Sequence, residues 1–193
     1  MGSLDDVFQT GDSKRDNFLS RVFGIFNEEV VKHWCASPNS PYIDLGRPTL
    51  FTAQGTWHTL DFTLQHQDTG RTFVTEMKCE LAYDAHRYLR LRNAGQLDHH
   101  TGTAFVRFLE FAASPEEFTV KVGGKPVRAD GALLVWGATT PEGVASLQQA
   151  TSIEDVLAVE SMLDDLRAWQ DSAWRTRTEE LRSWCSALFD FIQ

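Results

Sequence analysis

Apolar residues recur at helical spacing early in the chain. Phe18, Leu19, Val22, Phe23, Phe26, Val30 and Trp34 form one broad stripe, and Ser13 is a capping residue ahead of it. Together they predict a long helix over residues 13–35. Three prolines within residues 36–48 end it and predict a connection. The period then changes to two. Residues 49–53, 57–66 and 71–79 read as three strands of a meander, with turns at Gln54-Gly55 and at residues 67–70. Alternation assigns their faces. Leu60, Phe62 and Leu64 oppose Thr59, Asp61 and Thr63, and Val74, Glu76 and Lys78 oppose Phe73, Thr75 and Met77.

Residues 81–92 suit a helix with an arginine-rich flank, and after a polar break residues 103–113 suit another. Residues 118–127 predict a small hairpin with Gly123-Gly124 at its tip. Residues 131–138 are a continuous apolar run of strand length, the pattern of a strand buried on both faces. After Pro141 the strand signals stop. Two helices are expected there, over about 152–169, entered at Ser152 and Asp155, and over 172–192. Leu181, Trp184, Leu188 and Phe191 line one face of the second. Helix, meander, helix, strand and further helices make an α/β sandwich with a mixed sheet.

At 193 residues and 42% hydrophobic content, the chain fits one domain with a real core. Its net charge of −9 argues against a protein that coats nucleic acid generically, but not against an enzyme with a local patch. Residues 71–107 hold six cations against four acids, with His86, His99 and His100 in addition. Residues 142–193 carry ten acids against four arginines. Cys35, Cys79 and Cys185 are odd in number and lack metal-ligand spacing, which predicts free thiols in a reducing cytoplasm. No apolar run reaches membrane-spanning length and no signal-peptide pattern opens the chain, so a cytoplasmic protein without a membrane partner is expected.

Charge changes the picture most at residues 57–80. Asp61 interrupts one predicted strand, and Glu76 and Lys78 interrupt the next on a shared face. Two carboxylates brought within ~4 Å repel by roughly 4 kcal/mol at intermediate screening. A hard divalent cation relieves that repulsion, and Mg²⁺ prefers one or two carboxylates plus waters. Such an ion lowers the pKa of a bound water and neutralises charge on a phosphoryl group, while a neighbouring lysine orients or deprotonates the water. The backbone carbonyl of Met77, between the two charged residues, is a further ligand candidate. The bland counterpart is a cross-strand row of ion pairs on an exposed sheet face.

A helix glutamate, a strand aspartate, a hairpin and Glu-x-Lys in strand phase together resemble the PD-(D/E)XK nuclease superfamily. The resemblance covers residues 13–138. It implies a restriction-endonuclease-like αβββαβ core with a mixed central sheet flanked by helices. The C-terminal helices, about 141–193, would extend a single nuclease-like domain over residues 1–193. Asp61 matches the first-motif acid, and Glu76 and Lys78 match the (D/E)-x-K; Leu60 stands where the family name has proline. The resemblance implies Mg²⁺, with Mn²⁺ as a substitute, held by Asp61, Glu76 and Met77, with Lys78 acting on the water. Many members add a glutamate from the first helix. The run Gly24-Ile25-Phe26-Asn27-Glu28 with Val31 fits that pattern, whereas helical angle favours Glu29; Glu28 ranks first and Glu29 remains its rival. Arg87 and Arg90, three apart on the expected 81–92 helix, would hold phosphates or else pair along the helix with Asp84. The implied partner is nucleic acid, DNA first, with the C-terminal helices as a homodimer contact. The alternative is the same fold without catalysis, serving protein assembly or nucleic-acid binding.

Overall fold

The computed structural model describes residues 3–79, 81 and 86–193. A short helix α1 (Leu4–Phe8) precedes the long α2 (Ser13–Ala36). Asp12, not Ser13, caps α2, its side chain accepting from the N–H groups of Lys14 and Arg15. Of the expected apolar stripe, Phe23, Val30 and Trp34 turn into the core, where Val31 joins them, while Phe18 stays exposed.

The strands, numbered along the chain, are β1 (Tyr42–Asp44), β2 (Pro48–Thr52), β3 (Trp57–Thr59), β4 (Phe62–His66), β5 (Thr72–Lys78), β6 (Arg90–Leu91), β7 (Phe118–Val122), β8 (Lys125–Val127), β9 (Gly131–Trp136), β10 (Ala138–Thr139) and β11 (Asp155–Ala158). Among the described residues they form a five-stranded sheet in the order β1-β4-β5-β9-β11, a four-stranded sheet β3-β2-β7-β8 and a pair β10-β6. The main sheet is mixed. Its β1-β4-β5 side is antiparallel, and β5, β9 and β11 run parallel. Helix α3 (Thr103–Ala113) lies in the crossover from β5 to β9, and α4 (Pro141–Ala150) lies in that from β9 to β11. Helices α5 (Val159–Ala168) and α6 (Ser172–Ile192) follow.

Alternation along β5 sorts the core into two layers. Phe73 and Met77 join Phe62, Leu64, Leu133 and Val135 beneath α2 and α5. Val74 joins Leu60, Leu134 and Trp136 against Phe105, Phe108 and Phe111 of α3, where Leu50 and Val120 bring in the second sheet. Each large side chain removed from water contributes about 1.5–3 kcal/mol before entropy is subtracted. The central β9 is buried along its whole length, as its continuous apolar run predicts. The hairpin β7–β8 turns on Gly123 and Gly124, both at positive φ, where glycine adopts the backbone without strain.

Four expectations are corrected. Residues 49–53, 57–66 and 71–79 are not one meander. The middle stretch breaks at Leu60-Asp61, so β3 pairs with β2 in the second sheet while β4 pairs with β5 in the first. The proline-rich connection supplies the missing antiparallel neighbour, β1. Residues 81–92 are not a helix where described: His86 sits at φ 67°, residues 86–89 turn, and Arg90–Leu91 pairs in parallel with Ala138–Thr139. Residues 82–85 of that expectation lie outside the described residues. Burial decides the outcome, since Leu89 and Leu91 are both fully enclosed while the N–H groups of Ala138 and Thr140 bond their carbonyls. Finally, strand structure continues past Pro141. Residues 152–169 divide into β11 and α5, and Asp155 opens a strand, its Val156 and Ala158 buried against β9.

Candidate functional site

The site is built where the chain changes sheets. Thr59 ends β3, the Leu60 N–H still donates to the Pro48 carbonyl, and Phe62 begins β4 in the main sheet. Asp61 occupies that corner. The β4–β5 ladder pairs Phe62 with Thr75; continued by one residue, it sets Asp61 opposite Glu76. Side chains directly opposite share a face, so the two carboxylates meet. Glu76 and Lys78 lie on the α3 side of β5, in phase with Val74.

Hydrogen bonds hold the pair in place. One Asp61 oxygen, Oδ2, accepts from the Met77 N–H at 2.8 Å, and Oδ1 accepts from the Arg47 guanidinium at 3.3 Å. Arg47 also donates Nε–H to the Leu60 carbonyl, which fixes its reach. Lys78 Nζ donates to Glu76 Oε1 at 2.5 Å and lies 3.4 Å from the Met77 carbonyl oxygen. The ammonium also sits 5.3 Å from the centre of the Phe105 ring, within cation–π range. Glu76 is only 5% exposed. Burial raises its pKa above the ordinary carboxylate value, and the adjacent Asp61 carboxylate pushes the same way; Lys78 offsets part of the shift.

Comparison with protein-family models, with curated proteins and with solved structures finds no match.

The structure brings Asp61, Glu76, Lys78 and the Met77 backbone together, and it separates the remaining expected residues from them. The Asn27 side chain bonds Cys79, so α2 does pass the end of β5, but on the Phe73–Met77 face of the sheet. Glu28 pairs with Lys32 one turn along an exposed face. Glu29 takes two hydrogen bonds from Arg177 of α6, which hold its carboxyl below the usual range. Neither glutamate joins Asp61 and Glu76, and among the described residues no three His, Cys, Asp or Glu side chains gather as a metal-holding group.

Arg90 clasps three elements together. Its guanidinium bonds Asp5 of α1 and Glu160 of α5, and it donates to the Thr139 carbonyl at 3.1 Å. The Arg90 side chain is one-fifth exposed. Arg87 is exposed, lies over the Tyr88 ring at 5.7 Å and lines a cavity of about 370 Å³ with Arg90, Arg92, His86, Gln9, Asn93 and Gln96. The two arginines thus line one cavity, from a turn and a strand rather than from one helix face.

Two further residues flank the site. Arg47 lies in the proline-rich connection, and nothing in the local pattern links it to an acid fourteen residues on. His100 packs 5.2 Å from Phe105 and 5.8 Å from Trp136, and Trp136 is the β9 register partner of Lys78. The cationic and histidine-rich stretch 71–107 was the signal for His100, although it named no site.

Proposed function

We propose that this protein is a metal-dependent phosphodiesterase acting on DNA, a nuclease of the PD-(D/E)XK type. The observation that carries the proposal is the Asp61–Glu76 pair, set opposite each other by strand register with Lys78 on Glu76. The order α2–β1–β4–β5–α3–β9, with β5 and β9 parallel, supports a restriction-endonuclease-like core built around that pair. In it β1, β4 and β5 are the antiparallel strands, and the β2–β3 and β7–β8 hairpins are insertions that form the second sheet.

Two adjacent carboxylates, one buried and reluctant to ionise alone, are a donor set that suits Mg²⁺ or Mn²⁺. Asp61 and Glu76 would hold the ion, with the Met77 carbonyl as a third oxygen. When bound, it supplies a water of lowered pKa and offsets charge on the phosphoryl oxygens. Lys78 holds the Glu76 carboxylate, and its remaining N–H groups can orient the attacking water or take transition-state charge. The Met77 N–H and the Arg47 guanidinium each bond one oxygen of Asp61, and the remaining lone pairs of that carboxylate would be available to an ion. Arg47 is placed to contact a substrate phosphate next to Asp61.

A second reading, a nuclease-fold module without catalysis, draws on the same contacts. Arg47 and Lys78 already balance Asp61 and Glu76, and Glu29 is committed to Arg177. Calorimetry separates the two. Titration with Mn²⁺ and Mg²⁺ is expected to show one binding event in the wild type that Asp61→Asn and Glu76→Gln each weaken at least tenfold. Binding unchanged by both substitutions, or none with DNA present, favours the module.

A further inference from the structure

Helix α6 is buried or half-buried only in its first half, at Trp174, Arg177, Thr178 and Leu181. Trp174 is buried and packs on His33 at 5.5 Å, Arg177 pairs with Glu29, and further along Phe189 meets Phe18 at 6.4 Å. These contacts run in opposite directions along the two helices, so α6 lies antiparallel on α2. Beyond Leu181 every residue of α6 is exposed. Its apolar side nevertheless continues in the direction of Trp174: Leu181, Trp184, Leu188 and Phe191 follow one another at spacings of three, four and three, the seam of a helix that packs against another helix.

The uncovered surface is large. Phe18 and Ile25 of α2 and Trp184, Leu188, Phe189, Phe191 and Ile192 of α6 are all exposed, Ile25 at 83% and Phe191 at 86%. With ~150–250 Å² for a whole aromatic side chain, the patch amounts to roughly 800 Å². That exceeds the ~300–600 Å² of the largest apolar patch on a typical monomer. It equals the share of one partner in a standard-size interface, about 800 Å².

We propose that the α2–α6 face is the interface of a symmetric dimer of this chain. The seam reads the same from both sides of a two-fold axis near Ser186. Antiparallel pairing of two α6 helices sets Trp184 of each copy toward Leu188 of the other, two residues either side of the axis, and Leu181 toward Phe191, five residues either side. Ile25 and Phe18 flank the seam, so α2 of each copy completes a four-helix layer. A lipid surface is the less fitting occupant. The polar side of α6 carries Glu179, Glu180 and Asp190 against Arg175 and Arg182, without the cationic excess of interfacial helices, and the whole chain is at −9. This inference stands apart from the catalytic proposal, since the face carries neither Asp61 nor Glu76.

Sedimentation velocity of the full chain over micromolar concentrations tests it. The wild type is expected to sediment as a species of twice the chain mass. Leu188→Asp on α6 and Ile25→Asp on α2 should each raise the dimer dissociation constant by about 30-fold or more, as loss of a central apolar anchor does. Ser183→Asp, on the opposite side of α6, should leave it unchanged. Both apolar positions are exposed in a single chain, so far-UV circular dichroism should match the wild type for every variant, and the melting temperature should match at concentrations low enough for the wild type to be monomeric. A wild type that stays monomeric overturns the proposal, and so does a dimer that survives both apolar substitutions. A monomeric wild type that binds phosphatidylcholine–phosphatidylglycerol vesicles, with binding lost in Leu188→Asp, overturns it in favour of a membrane surface.

Discussion

Glu76 is the residue on which the site turns. A carboxylate on a strand buried along nearly its whole length is costly unless something compensates it. Lys78 supplies part of the compensation, and the neighbouring Asp61 works against it. Because the folded chain holds the Glu76 proton more tightly than an unfolded chain would, ionising Glu76 opposes folding. That opposition is absent below the ordinary carboxylate range and complete once the pH has passed the raised folded-state value. Glu76→Gln removes it. The stability of the variant relative to wild type is therefore expected to rise with pH across that window, by at most about 1.4 kcal/mol per pH unit for one proton. Urea denaturation at a series of pH values reads the slope; a flat difference would mean that Glu76 titrates as a surface carboxylate. The residue identities at this site were legible because charge interrupted strand alternation. The partner of Asp61 was not, because Arg47 is brought to it by a sheet-to-sheet crossing that no local period records.

Among the elements, those decided by local pattern were readable and those decided by long-range pairing were not. Helix α2, helix α3, the β7–β8 hairpin and buried β9 each carry a full period of their own kind. Residues 86–92 illustrate the opposite case. Their composition favours a helix, yet Leu89 and Leu91 are buried and the chain is held by parallel pairing with β10 nearly fifty residues later. Close backbone approach reinforces the pairing: a Cβ on Gly137 would meet the Leu89 carbonyl oxygen at 2.8 Å. The same tertiary setting redefines Arg90. With its guanidinium shared between Asp5 and Glu160, Arg90→Ala leaves two partly buried acids without their cation. Unfolding free energy measured in urea is expected to fall by about 2–3 kcal/mol, below the range for a fully buried pair. Retained stability with weakened DNA binding would return Arg90 to a phosphate-holding role.

At the level of the whole molecule, the α/β class followed from the alternation of periods, and the mixed sheet from an antiparallel hairpin beside a crossover. The allocation of strands between two sheets did not, because β2 and β4 look alike in sequence and differ only in what they pair with. The first-helix glutamate shows the same limit. Helical angle could rank Glu28 against Glu29, but not reveal that α2 lies on the far face of the sheet from Glu76 or that Arg177 engages Glu29. Among the described residues no helix is long and apolar enough to cross a membrane. What the molecule presents is a carboxylate pair with a lysine at the corner between two sheets. Nicking of supercoiled plasmid DNA by the wild type, Lys78→Ala and Asp61→Ala, each with Mg²⁺, with Mn²⁺ and with chelator, tests its role most directly. The wild type is expected to nick only with metal, and each substitution to slow nicking by about 10²–10⁴-fold without loss of fold. Equal nicking by all three proteins, or none by the wild type with either metal, would contradict a metal-dependent nuclease at Asp61, Glu76 and Lys78.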